Sequence, residues 1–308
     1  MKVPIWWVAL LLVGIVVVSL GLSVLTFVQP DSDEDTLSVT AAIFPMYTAA
    51  LQVVGEVSGV SVTCLTAPTA GCLHDYQLSP DEMATLAATD VLVLNGAGAE
   101  SFLDQALKAV SVPMIIDTGR EVHPLDSCEE EHEHDHDHGG VNEHIWIHPA
   151  YYAVQVAALR DGLCAADPAN AAAYTRNAAA YLETIAAVEQ QWEAMTLEVD
   201  GAVLFHDSVA YVAQVLQVPV LATLPMGEEQ GISAGELSRV MQAVQGKRVL
   251  LLFDEQYAAD PLSLDTYAAQ AVMVTIDTAI RPQPGRMAAQ AWLTAMTANI
   301  QAIKEAAA

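Results

Sequence analysis

From Ala169 to Met195 the chain runs through 27 residues without a glycine or a proline, and Tyr174, Ala178, Tyr181, Ile185 and Val188 recur at helical spacing. Asp167-Pro168 ahead of it supplies a helix N-cap followed by proline at the first helical position. At 1.5 Å per residue such a helix is about 40 Å long, more than one small domain needs. It therefore has to join two bodies.

The pattern on either side is the same. Leu37 to Ile43, Val60 to Leu65, Val91 to Leu94 and Pro113 to Ile116 read as strands, with helices at Pro45 to Val57, Pro80 to Ala88 and Glu100 to Val110. After a polar interruption Pro149 to Ala165 resumes as helix. Beyond the long helix, strands at Ala202 to Phe205, Pro219 to Ala222, Arg248 to Phe253 and Val272 to Ile276 alternate with helices at Ser208 to Leu216, Ser233 to Gln245, Asp260 to Gln270 and Met287 to Lys304. Alternating strands and helices build parallel sheets covered by helices. The expected fold class is α/β: two (β/α) lobes with parallel-type sheets joined by one long rigid helix, and a binding cleft between them. The domain plan is an N-terminal apolar segment at 1–28, an acidic tether at 29–36, a first lobe at 37–166, the linking helix at 167–196 and a second lobe at 197–308.

Composition narrows the partners. Eleven basic residues against 38 acidic ones give a net charge of -27, which repels nucleic acid and anionic lipid headgroups and attracts cations. Ile5 to Val28 carries no formal charge over 24 residues, and Trp6 and Trp7 stand at its start. About 20 apolar residues span a bilayer, whereas the apolar part of a cleaved signal peptide is roughly 7 to 15. The segment reads as an uncleaved anchor with the rest of the chain outside the cytoplasm, a cleaved signal being the alternative. No cysteine precedes Cys64, so a lipid-modified cysteine near the start is excluded. Cys64, Cys72, Cys128 and Cys164 permit two disulfides in an exported chain, in any of three pairings. Their spacings match no zinc-ribbon pattern.

Glu129 to His138 reads EEEHEHDHDH, four histidines and six carboxylates in succession. No core accepts such a run, because burying unpaired charge is too costly. In water, His132, His134, His136 and His138 with their acidic neighbours make a loose site for divalent metals. Of the remaining histidines, His74, His144 and His206 each stand in a strand-to-helix loop, on the edge where parallel sheets bind ligands. Three imidazoles gathered there make a zinc site, with a fourth position for water or a carboxylate. Asp277 follows the strand VMVTI at the same edge, and Glu255 after VLLF competes with it. His148 precedes Pro149, which disfavours helical geometry, and is left outside the site with His123.

HDYQLSP at 74–80, NEHIWIHP at 142–149, DPANAAAYTRNAAAYLETIAAVEQ at 167–190 and FHDSVAYVAQ at 205–214 together resemble the zinc- and manganese-specific solute-binding proteins of ABC importers. The similarity runs over roughly residues 38 to 304. It implies one metal held between two lobes and handed to membrane permease subunits, by a protein that is a monomer and not an enzyme. It also implies His74, His144 and His206 as imidazole ligands and Asp277 as the carboxylate. The acidic, His-rich loop is typical of the zinc members, and manganese members carry a carboxylate where this chain has His206. The expected cargo is Zn2+. Asn142-Glu143 departs from the Asp-Pro common before the second histidine, and the usual lipid-anchoring cysteine is absent. Manganese binding, a role as adhesin or metal buffer on the same scaffold, and zinc-dependent hydrolysis are the alternatives. The last lacks an H-E-x-x-H helix, Glu143 beside His144 being the nearest candidate base.

Overall fold

The computed structural model describes residues 36–66, 76–127, 140–224, 233–257, 270–282 and 287–307. The chain falls into two compact units, Met1–Leu37 and Ser38–Ala308. The expected apolar anchor at Ile5–Val28 lies outside the described residues. Among the described residues no helix is long and apolar enough to cross a membrane.

The first sheet contains β1 (Leu37–Ala41), β2 (Val60–Cys64), β3 (Val91–Leu94) and β4 (Met114–Asp117), in the order β2-β1-β3-β4. The second contains β5 (Gly201–Leu204), β6 (Val220–Thr223), β7 (Arg248–Asp254) and β8 (Gln270–Ile276), in the equivalent order β6-β5-β7-β8. β1 with β3, β3 with β4, β5 with β6 and with β7, and β7 with β8 all pair in parallel. The alternating sequence thus folds as the α/β architecture expected of it. In both sheets the strand order reverses beside the first strand, between β1 and β3 and between β5 and β7. Ligands of open parallel sheets bind beyond the carboxyl ends of strands at such reversals, where the flanking loops diverge.

The described helices are α1 (Phe44–Val54), α2 (Pro80–Ala87), α3 (Ala106–Ala109), α4 (Pro149–Ala166), α5 (Ala171–Glu193), α6 (Ala210–Val215), α7 (Ala234–Val244) and α8 (Ala291–Ala307). Helices α2 and α7 begin on full capping boxes, Ser79 with Glu82 and Ser233 with Glu236, as the S-x-x-E spacing dictates. The expected helix over Glu100–Val110 breaks into a 3-10 turn at Ser101–Leu103 and the single turn of α3. The cause is Glu100: its carboxyl oxygens accept the backbone N–H groups of Asn95 (2.6 Å) and Gly96 (3.1 Å) behind it, holding the chain in a turn. Gly96 has φ 80°, and a Cβ there would collide with Asp117 Oδ1, so only glycine fits.

The long helix α5 buries Tyr174, Ala178, Tyr181, Ile185, Val188 and Trp192, the face its periodicity marks. It packs on α4, α1 and α8. Helix α8 returns from the second sheet to the first-sheet side, where Thr48 Oγ1 and Gln52 Nε2 of α1 donate to the carbonyls of Ala288 (3.1 Å) and Ala289 (2.6 Å). Three buried aromatic residues join these parts. Trp292 stacks on Tyr152 at 4.2 Å and donates to the Trp146 carbonyl at 2.8 Å, while Trp146 Nε1 donates to the Thr278 carbonyl at 2.8 Å. Burying a large apolar side chain stabilises by about 1.5–3 kcal/mol, and an indole needs its N–H satisfied to realise that gain. Both sheets thus belong to the single unit Ser38–Ala308.

Among the described residues Cys64 and Cys164 are free thiols; Cys72 and Cys128, the other two of the four cysteines, lie outside the described residues. Cys64 is held by burial well above the usual thiol range, at about 11, and so stays protonated and inert.

Candidate metal centre

His206 lies just past the carboxyl end of β5 in extended conformation, capping the 3-10 turn Asp207–Val209. Its Nδ1 stands 3.1 Å from the Ser208 backbone N–H and 2.9 Å from Ser208 Oγ. The Ser208 hydroxyl donates at 2.6 Å to Asp254 Oδ2, and Asp254 ends β7, the strand beside β5 at the reversal of order. Asp254 is 1% exposed. Burial pushes its carboxyl above the usual range, and the Ser208 hydroxyl, the Gln256 N–H and nearby His144 pull the other way. Ser208, tied to Asp254 through its hydroxyl, thus holds the His206 ring in place through its backbone N–H.

His144 arrives from the first-sheet side. It stands at the N-cap position of the 3-10 turn Ile145–Ile147, whose three side chains are all buried. Its Nδ1 lies 3.0 Å from Asn142 Oδ1, and its Nε2 is 3.9 Å from Glu143 Oε1. The rings of His144 and His206 meet edge to face, centroids 5.3 Å apart at 82°. Two of the three expected imidazoles are therefore together, beside the strand-order reversal of the second sheet. His74 and the loop histidines His132, His134, His136 and His138 lie outside the described residues. Among the described residues no group of three His, Cys, Asp or Glu side chains forms a metal cage.

Asp277 follows β8. Its Oδ1 accepts from the Ala279 N–H (2.9 Å), and Asn299 grips its backbone from both sides, each bond 2.9 Å. Glu255 opens the 3-10 turn Glu255–Tyr257. His148 caps α4 by accepting the Ala150 N–H at 3.2 Å and stacks on Tyr151 at 4.4 Å. Burial lowers its imidazole to about 4, so it is a neutral cap. His123 is exposed.

Sequence reasoning passed over Asp254, Ser208 and Asn142. Asp254 left a signal: RVLLLFD is a fully apolar strand after its first residue, ending in one acid, and an acid buried at a strand end needs a partner. Ser208 left none and Asn142 showed only as a departure from the Asp-Pro common before the second histidine, since each acts through a contact two residues away that only the turn geometry creates.

A family profile described as "Zinc-uptake complex component A periplasmic" matches residues 39–306. The chain belongs to this family. The Bacillus subtilis high-affinity zinc uptake system protein ZnuA is 23% identical over 291 residues, 89% of either chain. Among solved structures, the solute-binding protein FpvC of Pseudomonas aeruginosa in complex with Mn2+ superposes with TM-score 0.72 at 18% identity, over 88% of this chain and 98% of that one. A crystal structure of ZnuA superposes with TM-score 0.67 at 23% identity, over 89% of this chain and 100% of its own. These structures show a shared fold. Membership of the zinc-uptake component A family makes the chain an extracytoplasmic metal-binding component of ABC import.

Proposed function

We propose that this protein captures zinc outside the cytoplasm and hands it to the permease of an ABC importer, with His144 and His206 as two of the ligands. The observation that carries this reading is the ring pair itself. With Zn–N bonds of about 2.0–2.1 Å, two imidazoles on one tetrahedral ion have centroids roughly 5 Å apart. The observed 5.3 Å fits that spacing. His144 Nδ1 faces an acceptor, Asn142 Oδ1, which is how metal-binding imidazoles are normally oriented.

In this reading His74 supplies the third imidazole and Asp277 the carboxylate. Imidazole-rich sites suit zinc, whereas manganese prefers oxygen ligands. The Mn2+ in FpvC belongs to that protein, and manganese is the competing cargo to be tested here. Residues 1–28 anchor the chain beside its permease, 29–36 form a tether, and 129–138 collect metal weakly near the site. Residues 37–166 and 197–308 act as lobes linked by 167–196. The joints through Trp146, Trp292 and α8 favour small tilts over a wide hinge closure. Glu143 has no H-E-x-x-H helix around it, and the family's transport role supports binding and release over hydrolysis.

The test is a chelator competition with Zn2+ and with Mn2+ on the wild-type chain and on His206→Ala. Zinc is expected to bind the wild type more tightly than manganese, and the variant to lose tight zinc binding. Unchanged zinc affinity in the variant removes His206 from the site. Tighter binding of manganese overturns the choice of cargo.

A further inference from the structure

Asn142 is fully buried, and every polar atom it owns is occupied. Its backbone N–H donates to the Leu125 carbonyl (2.8 Å) and its carbonyl accepts the Tyr211 hydroxyl (2.7 Å). Its side-chain Nδ2 donates to the Asp207 carbonyl (2.7 Å), and its Oδ1 accepts the His144 backbone N–H (3.1 Å). The last two contacts fix which end of the amide is which. A backbone carbonyl can only accept and a backbone N–H can only donate, so nitrogen faces Asp207 and oxygen faces His144.

That orientation has a chemical consequence for the ring. His144 Nδ1 lies 3.0 Å from the same Oδ1. Were Nδ1 to carry a lone pair, two acceptors would oppose each other at hydrogen-bond distance, so Nδ1 carries the proton. A neutral imidazole has one N–H and one lone pair, which leaves the lone pair on Nε2.

We propose that Asn142 is a positioning residue that holds His144 as its Nδ1–H tautomer, with Nε2 ready to take a metal, and ties that ring to the turn bearing His206. The inference rests on the reading of His144 as a zinc ligand. The tie is short: Nδ2 of Asn142 reaches the carbonyl of Asp207, the residue after His206. Two further contacts brace it. Ser127 Oγ donates to Asp207 Oδ2 at 2.5 Å, and the Tyr211 hydroxyl also accepts the Leu125 N–H at 3.1 Å. Leu125 to Ser127 and Gly140 to Asn142 pair around the base of the His-rich segment, through the Asp126–Val141 bridge and the bonds Ser127 N to Gly140 O (2.5 Å) and Asn142 N to Leu125 O (2.8 Å). One amide thereby sets the tautomer of the first imidazole and its distance from the second, before metal arrives. An imidazole free in water populates both tautomers and must select one on binding.

The experiment is a long-range proton–nitrogen correlation spectrum of the 15N-labelled, zinc-free full chain at pH 8, with His144 assigned by its loss in His144→Gln. The wild type is expected to show the proton on Nδ1. In Asn142→Leu the ring is expected to shift to a mixture of tautomers and zinc affinity, by chelator competition, to fall 10- to 100-fold. Asn142→Asp keeps an acceptor at Oδ1 and should restore the Nδ1–H form. A wild-type proton on Nε2 overturns the proposal, and so does Asn142→Leu with unchanged tautomer or unchanged affinity. If Asn142→Leu does not fold, the wild-type spectrum decides. Zinc affinity undiminished in His144→Gln would instead sink the assignment of His144 as a ligand, while leaving the tautomer readout intact.

Discussion

Glu100 offers a test of how the first-sheet edge is held. It is the buried acid that accepts the N–H groups of Asn95 and Gly96, and Asn95 Nδ2 in turn donates to the Glu143 carbonyl at 2.9 Å, one residue before His144. Burial pushes its carboxyl up from 4.5 to about 8, with the charge of Asp117 acting in the same direction and the two N–H groups against it. A carboxyl whose folded value is raised favours the native state when protonated. Its contribution is full below pH 4.5, falls as pH rises through the window up to about 8, and is constant above. One proton per molecule gives a slope of about 1.4 kcal/mol per pH unit inside that window. Between pH 5 and pH 7 the wild type should therefore lose roughly 2–3 kcal/mol from this group. Glu100→Gln keeps a carbonyl acceptor for one of the two N–H groups and cannot titrate. Urea melts of both chains at half-unit intervals from pH 5 to 9 measure the difference. The wild type minus variant stability is expected to fall with pH and flatten near pH 8. A difference that does not vary with pH would refute the claim that Glu100 is neutral in the folded protein at pH 7.

Two further outcomes follow from the geometry. Trp292→Phe removes the donor to the Trp146 carbonyl and leaves space against Tyr152, and should cost about 2–3 kcal/mol in urea melts; a loss under about 0.5 kcal/mol would show that the indole bond adds nothing. Deleting Glu129 to His138 should remove weak zinc equivalents counted by native mass spectrometry and leave tight binding in place, whereas loss of the tight site would mean that the loop supplies a ligand.

Periodicity carried most of the architecture. The face of α5 from Tyr174 to Trp192 is buried as its spacing requires, and the alternating runs pair as two parallel sheets. Helix ends were legible wherever a side chain closes its own turn, as at Ser79 and Ser233. The break after Glu100 was not, because its cause is a carboxyl group reaching back four and five residues to backbone atoms that a helix would have placed elsewhere. The same limit governs the cysteines: their even number suggested bridges, but whether two thiols meet depends on where the chain places them.

The candidate site divides along the same line. Sequence alone determined the kinds of residue available to a metal, an acidic chain with histidines at strand ends, since residue type and strand position are local properties. Only the tertiary structure decided that His144 and His206 meet at 5.3 Å, that Asp254 backs His206 through Ser208, and that Asn142 sets the ring of His144. Those contacts join segments 46 or more residues apart or turn on the dihedral angles of single loops. The physical reason is that a side chain's type fixes what it can donate or accept, whereas the packing of two sheets fixes which partner stands within 3 Å of it.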